Sequence, residues 1–287
     1  MKDTKEDIKL QVLICTFGRD GIKRVASGQH PEVSGVEYLV SWQASDGIDV
    51  PEALMRHDFT FHRTDTIGLS KNRNNALARA SAPLLLTSDD DVDYTAEGLA
   101  GVINSFKTNP DADLLVFRFD CNKGNKFYPD HSFSLSKPPK GYYTSSIEIA
   151  LRRNSLADHN IWFNENFGIG AIFPSGEEDI LLKDCLDAGL TGRYIPLTIA
   201  RHDTDTTSRK NLSLTTRSQT RGAIFLHLHP KSWPFRMAVH ALREIPLWRK
   251  GEVPSPLSFC RNWIKGVRMA KKHRAFPTPD YSSNYMS

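Results

Sequence analysis

Short apolar runs alternate with longer amphipathic stretches between residues 10 and 200 of the chain. This alternation predicts an α/β fold in which a mixed, mostly parallel sheet is flanked by helices. Strands are predicted at residues 10–17, 36–42, 58–63, 84–88, 113–119, 141–153 and 192–200. Helices are predicted from Ser70, at 95–106 with Thr95 as the N-cap, and at 177–188 before Gly189.

The chain lacks the run of about 18 apolar residues that a membrane-spanning helix requires. Its first residues, MKDTKEDIKLQ, are charged where a secretory signal peptide is apolar. We therefore expect a cytosolic protein.

The four cysteines are Cys15, Cys121, Cys185 and Cys260, and none of them forms a CxxC pair. Their spacing predicts neither a zinc site nor a disulfide framework. We expect reduced thiols, most of them buried.

Three consecutive aspartates, Asp89, Asp90 and Asp91, follow the predicted strand at 84–88. In an extended backbone Asp89 and Asp91 share one side, and Asp90 points to the other. Carboxylates so close together must lose a charge, face solvent or share a cation. Mg²⁺ or Mn²⁺, completed by phosphate oxygens and water, satisfies the third condition, whereas a solvated acidic turn is the alternative.

The residues before the aspartates form a recognisable pattern with them. The pattern resembles that of the family 2 glycosyltransferases of the GT-A fold, and its matching positions are Gly68, Ser70, Arg73, Asn74, Asp89 and Asp91. Asn72 and Pro83 depart from the family pattern. The resemblance implies that Asp89 and Asp91 contact the metal and the ribose of a nucleotide sugar, with Asp90 beside them. It also places Ser70, Arg73 and Asn74 near the donor, unless Arg73 is an ordinary surface cation.

Two further segments extend the resemblance toward the N-terminus. Thr16, Phe17 and Arg19 follow the first strand in the family's order, which implies positions beside the nucleotide. The second strand ends in SWQASDGID where the family has an acidic loop that reads the base. Gln43 or Asp46 could take that role, and a glutamine side chain could read more than one base.

Residues 163–190 resemble the acceptor loop and the Glu-Asp motif of the same family. In inverting members the aspartate of this motif is the general base, which implies that role for Asp179. Glu178 is the second catalytic candidate. The alternative for Glu178 is structural, because Ser175 and Glu178 have the spacing of a capping box.

His202 lies after the predicted strand at 192–200, where many family members have a distal metal-ligand histidine. An imidazole ligand would favour Mn²⁺ over Mg²⁺. The alternative is a surface histidine at a strand end. Arg209 and Lys210 follow in a loop and are either phosphate contacts or solvated charges.

The C-terminal part differs in charge from the rest of the chain. Residues 221–287 hold 12 Lys or Arg and 3 Asp or Glu, whereas the chain as a whole has a net charge of +4. We predict a GT-A catalytic domain at 1–215, with nucleotide-sugar binding at 8–95 and the acceptor part at 96–215. A basic helical extension follows at 216–287.

Three tryptophans of the extension, Trp233, Trp248 and Trp263, are spread among its basic residues. This composition indicates peripheral contact with an anionic membrane surface. Helices that pack on the catalytic domain and leave a solvated basic face are the alternative. No nucleic-acid-binding motif accompanies the charge, so no nucleic acid is expected as a partner.

Together these observations predict a metal-dependent inverting glycosyltransferase. It would move a sugar from a nucleoside diphosphate, UDP being the expected carrier, to a hydroxyl of a glycan or a lipid-linked acceptor. One alternative is a metal-dependent nucleotidyl or phosphoryl transferase, although the chain lacks a glycine-rich phosphate loop with lysine. Another is a nucleotide-sugar-binding scaffold without catalysis.

Overall fold

The computed structural model describes residues 9–120, 126–202, 212–251, 253 and 255–273. The strands within these residues are β1 (Leu10–Phe17), β2 (Val36–Gln43), β3 (Phe59–Thr64), β4 (Leu84–Asp89), β5 (Asp93–Tyr94), β6 (Leu114–Asp120), β7 (Phe133–Ser134), β8 (Ile149–Arg152) and β9 (Gly192–Arg201). The helices are α1 (Gly18–Ser27), α2 (Leu69–Arg79), α3 (Ala96–Thr108), α4 (Arg153–Asp158), α5 (Glu177–Asp187), α6 (Leu214–Leu228), α7 (Trp233–Arg249) and α8 (Pro256–His273). Short 3₁₀ turns occur at Glu52–Leu54 and Ser146–Glu148.

The nine strands form one mixed sheet in the order β3-β2-β1-β4-β8-β6-β9-β5, and β7 pairs with β9. Strands β3, β2, β1 and β4 are parallel, as are β6 and β9. Strand β8 is antiparallel to β4 and β6, and the two-residue strands β5 and β7 are antiparallel to β9. The α/β prediction with a mostly parallel sheet is confirmed.

Alternate residues of β1 serve two cores, one on each face of the sheet. Val12 and Ile14 pack with residues of α1 and α3, whereas Leu13 and Cys15 pack with residues of α2, α4 and α5. Because both faces are covered, β1 is apolar along nearly its whole length, as expected for a central parallel strand. Cys15 and Cys185 are buried free thiols, as predicted, and Cys260 is a half-buried one. Cys121 lies outside the described residues.

The predicted strand at 141–153 is mostly wrong. Only Ile149–Arg152 is extended, and Arg153 already begins α4. Before β8 the chain forms a 3₁₀ turn that Ser145 and Glu148 close with a capping box. Local hydrogen bonds from these polar side chains override the strand propensity of the surrounding residues.

The C-terminal helices pack on each other and on α5. Helices α6 and α8 are in direct backbone contact where they cross. A Cβ atom at Gly266 would lie only 1.9 Å from the carbonyl oxygen of Gln219, so the crossing requires glycine at this position. Ala223 of α6 shares a buried cluster with Phe173 and with Ile180 of α5. The extension therefore supports the helix that carries the predicted Glu-Asp motif. None of the helices in the described part of the chain is long and apolar enough to span a bilayer.

Candidate active site

Arg73 of α2 connects the two acidic motifs. Its guanidinium donates to Asp89 at 2.9 Å and to Glu177 at 2.7 Å, and also to the hydroxyl of Ser146 at 2.8 Å. Arg73 is 3% exposed. Burial alone would lower its pKa, but the charges of Asp89 and Glu177 outweigh burial and raise it, so the side chain stays charged.

Ser70 and Asn74 lie on the same buried helix and hold the loop before α5. The Ser70 hydroxyl donates to the carbonyl oxygen of Phe167. The Asn74 side chain donates to the Phe163 carbonyl oxygen at 2.9 Å and accepts from its amide at 2.9 Å. Ser70 and Asn74 are 2% and 0% exposed, so the structure places them beneath the loop.

Asp90 points away from Asp89, as the alternation of an extended backbone predicts. Arg24 of α1 binds its carboxylate with two nitrogen–oxygen distances of 2.9 Å. The hydroxyl of Thr16 donates to the same group at 2.8 Å. Burial raises the pKa of Asp90 above its ordinary value, although the hydrogen bonds from Arg24 and Thr16 favour the ionised form. Asp90 therefore accepts a hydrogen bond from Thr16 and forms an ion pair with Arg24 of α1.

Asp91 meets His202 at the end of β9. The Nε2 atom of His202 lies 3.0 Å from Oδ1 of Asp91, whose side chain is about half exposed. Burial alone would raise the pKa of Asp91, but the hydrogen bond and charge of His202 outweigh burial and lower it. A carboxylate and an imidazole in contact, with the carboxylate open to solvent, are a suitable ligand pair for Mn²⁺.

The first turn of α5 carries Glu177, Glu178 and Asp179 in three different environments. Glu177 is buried against Arg73, and Asp179 is exposed. Glu178 is half-buried, but its Oε2 atom is shielded from solvent and has no hydrogen-bond partner among the described residues. Burial and the charges of Glu177 and Asp179 raise the pKa of Glu178 to about 8. Glu178 is therefore mostly protonated at neutral pH.

The predicted capping box of Ser175 and Glu178 is wrong. Helix α5 begins after Gly176, a left-handed N-cap with a φ of 94° that makes no side-chain capping hydrogen bond. A Cβ atom at Gly176 would lie 2.3 Å from Cδ1 of Ile224, so the close contact with α6 also requires glycine here. Because the cap is a glycine, the side chain of Glu178 is not needed at the helix start.

The remaining predicted nucleotide contacts lie at the carboxyl ends of β1 and β2. Phe17 is 53% exposed and Arg19 is also exposed. Gln43 is buried, and its amide donates to Thr66 at 2.9 Å and to the Gly68 carbonyl oxygen at 3.2 Å. Asp46 is exposed in the turn after β2. Arg209 and Lys210 lie outside the described residues.

In the described part of the chain, one group of three possible metal ligands has its ligand atoms within 4.8 Å of one another. This group does not lie at the site described above. It consists of Glu32, His57 and Asp58, and Asp58 precedes β3, at the opposite end of the parallel strands from Asp89. The guanidinium of Arg56 already binds Asp58 and lies 3.5 Å from Glu32. This group is an ion-pair cluster around an arginine. The possible ligand atoms of Asp89, Asp91 and His202 do not all lie within 4.8 Å of one another.

Sequence reasoning missed Glu177, Ser146 and Arg24. The signal for Glu177 was present, because GEED offers two adjacent glutamates, but only the direction of the first helical turn shows which one faces Arg73. Ser146 lies in the part of the predicted strand at 141–153 that forms a 3₁₀ turn instead. No motif marked Arg24, which finds Asp90 only through the packing of α1 on the sheet.

Residues 53–173 match the family model described as glycosyl transferase family 2. A search of curated protein sequences found no significant match. The matched segment contains Arg73, Asp89 and Asp91 and ends just before the Glu-Asp motif.

Solved structures share the fold. One is S. aureus TarS 1–349 in complex with UDP-GlcNAc, with 15% identity and a TM-score of 0.57, covering 93% of this chain and 91% of that one. Another is the mannosyltransferase PcManGT from Pyrobaculum calidifontis in complex with GDP-Man and Mn²⁺, with 14% identity and a TM-score of 0.52, covering 98% and 80%. The fold of this chain is therefore of the GT-A type. Over residues 53–173, less than half of the chain, the sequence is similar to the glycosyl transferase family 2 model.

Proposed function

We propose that the protein is a metal-dependent inverting glycosyltransferase. It transfers a sugar from a nucleoside diphosphate, UDP being the proposed carrier, to a hydroxyl of a glycan or lipid-linked acceptor. The observation that carries the proposal is the buried Arg73, which binds Asp89 of the donor motif and Glu177 of the catalytic helix at once. Two motifs far apart in sequence thereby form one site.

The donor side of this site lies at the carboxyl ends of the parallel strands, where ligands bind in open α/β sheets. Phe17 and Arg19 are exposed there and are proposed to face the nucleotide. Gln43 and Asp46 are the proposed base contacts, and the buried Gln43 would reach the base only through a local rearrangement. Nucleotide sugars in both TarS and PcManGT structures support a donor of this class.

Asp91, His202 and Asp89 are the proposed ligands of a divalent cation. The contact between Asp91, in the turn after β4, and His202, directly after β9, offers an oxygen and a nitrogen ligand, and Asp89 adds a second carboxylate. Bound there, Mn²⁺ or Mg²⁺ would neutralise charge on the departing nucleoside diphosphate. Arg73 pairs with the Asp89 carboxylate and fixes its direction, which is the contribution of the protein itself. The Mn²⁺ of the PcManGT complex supports this choice of cation.

Asp179 is the proposed general base. Its carboxylate accepts the proton of the acceptor hydroxyl while that oxygen forms a bond to the anomeric carbon. The bond from the same carbon to the diphosphate oxygen breaks on the opposite face, which inverts the configuration. Glu178 is a weaker candidate at neutral pH, because a carboxyl with a pKa of about 8 is mostly protonated.

Ser70 and Asn74 are proposed to act through the loop they hold. Their hydrogen bonds to the backbone at Phe163 and Phe167 fix the segment that leads into Gly176 and α5. A fixed entry sets the direction of Asp179 relative to the donor. The proposed location is the cytosol, with peripheral contact at the inner face of the membrane.

Pure protein incubated with Mn²⁺ and a panel of sugar nucleotides tests this function. A glycosyltransferase releases nucleoside diphosphate slowly even without acceptor, since water replaces the acceptor hydroxyl. Release of pyrophosphate would instead indicate a nucleotidyl transferase. Binding without any turnover, seen as a thermal shift alone, would indicate the non-catalytic scaffold.

A further inference from the structure

Helix α7 presents an apolar stripe to solvent. Phe235 is 72% exposed and Leu242 is 65% exposed. They lie seven positions apart, which is about two turns and places them on the same side of the helix. Ala238 and Pro246, both exposed, continue the stripe between and beyond them.

A basic row runs beside the apolar stripe. Arg236, Arg243 and Lys250 are all exposed and are also spaced seven positions apart. Glu244 is the single acidic residue between positions 233 and 251, and it is half-buried and lies 3.6 Å from Arg221 of α6. The exposed face of α7 is therefore apolar along one line and positive along the next.

The opposite side of α7 is already used for packing. Ala241 is buried in the cluster that also contains Trp263 of α8. The ring of His240 lies 5.1 Å from that of Phe225 and 5.7 Å from that of Trp263. These contacts fix the rotation of the helix, so the apolar stripe and the basic row are held outward.

We propose that this face of α7 docks on an anionic lipid bilayer, with the helix lying in the plane of the headgroups. The apolar stripe would enter the acyl boundary, and the basic row would contact lipid phosphates. This docking needs no donor or acceptor, so its test is independent of the transferase reaction.

Charge decides between a bilayer and a second copy of the chain. A symmetric pair that buried the apolar stripe of both copies would bring two basic rows close together, with no acidic row to neutralise them. An anionic leaflet supplies the opposite charge and an apolar interior to the same face. The bilayer is therefore the occupant that matches both features.

Co-sedimentation with vesicles tests the proposal. The wild-type protein is expected to bind phosphatidylglycerol-containing vesicles, to bind pure phosphatidylcholine vesicles much less, and to dissociate at high salt. Phe235→Ser with Leu242→Ser should reduce binding at least about tenfold, because two large apolar side chains would no longer enter the acyl region. Arg236→Gln with Arg243→Gln and Lys250→Gln should do the same by removing charge.

Matched controls change equally exposed residues outside α7. Met55→Ser with Ile67→Ser removes two side chains that are 68% and 66% exposed. Lys23→Gln with Lys107→Gln and Lys140→Gln removes three exposed charges. Both control variants should bind vesicles as the wild type does, and circular dichroism should show all variants folded.

Equal binding of both α7 variants and the wild type to anionic vesicles would overturn the proposal. So would wild-type protein that ignores anionic vesicles but forms dimers that Phe235→Ser with Leu242→Ser abolishes in sedimentation velocity.

Discussion

The guanidinium of Arg73 and the carboxylate of Glu177 form a buried ion pair with a nitrogen–oxygen distance of 2.7 Å, across 104 positions of sequence. The same guanidinium reaches Asp89, so one side chain sets the distance between the aspartates after β4 and the first turn of α5. A buried pair is costly to break, because the remaining partner keeps its charge without compensation. This geometry makes Arg73 a positioning residue for both motifs.

Replacing Arg73 by methionine should destabilise the protein by about 3 to 5 kcal/mol, because Glu177 is left charged and buried. Urea unfolding measures the change. Arg79→Met, an exposed substitution on the same helix, is the matched control and should change stability by less than about 0.5 kcal/mol. Adding Glu177→Gln to Arg73→Met should recover part of the loss, and a double variant no more stable than Arg73→Met would contradict the pairing.

Asp179→Asn should bind the donor as the wild type does and lose transfer activity by about 10²- to 10⁴-fold, because asparagine cannot take the acceptor proton. Isothermal titration with the sugar nucleotide and a product assay separate the two effects. Asp187→Asn, in the last turn of the same helix and 63% exposed, is the control. Transfer at the wild-type rate by Asp179→Asn would move the base to another residue.

Asp91→Ala should lose the metal-dependent part of nucleotide binding. Its carboxylate is the exposed member of the pair with His202, so alanine removes an oxygen ligand from the proposed cation site. Titration of nucleoside diphosphate with and without Mn²⁺ gives the difference to be compared. Asp130→Ala, on a side chain that is 96% exposed, controls for the loss of surface charge. Unchanged Mn²⁺ dependence in Asp91→Ala would exclude this residue as a ligand.

The hydrophobic pattern of the sequence was sufficient to predict the strands that are covered on both faces of the sheet. Strands β1, β2 and β4 are continuous apolar runs, and their positions follow from hydrophobicity alone. The segment at 141–153 was not predictable in the same way, because its fate depends on Ser145 and Glu148, whose local capping competes with a strand. Two-residue strands such as β5 exist only through their partner β9 and leave no periodic signal.

The candidate site, like the fold, was only partly predictable from the sequence. The motifs named the acidic residues, but not which of them face each other. The direction of Glu177 depends on where α5 begins, and that point is set by Gly176 and its contact with Ile224 of α6, a long-range contact that no local pattern reveals. Asn74 stands beside Arg73 in sequence, yet its side chain is used for the loop at Phe163. The sequence shows which residue types the candidate site contains, but only the fold shows which of these residues contact each other.

Glu178 should make the stability of the protein depend on pH. Its pKa rises from an ordinary value of 4.5 to about 8 in the folded chain. Between these values the unfolded chain has released the proton and the folded chain still holds it, so the unfolded state binds fewer protons and stability falls as the pH rises. Glu178→Gln removes the titrating group and should flatten that part of the profile.

Urea unfolding of the wild type and of Glu178→Gln at about pH 5 and about pH 8 provides the measurement. We expect the variant to gain stability relative to the wild type at the higher pH, with a much smaller difference at the lower pH. Glu165→Gln is the matched control, because Glu165 is also a half-buried glutamate and lies in the loop before α5. An equal effect of Glu178→Gln at both pH values would mean that Glu178 is already ionised in the folded protein. The acidic first turn would then carry three charges near Arg73, and Glu178 would compete with Asp179 as the proton acceptor at neutral pH.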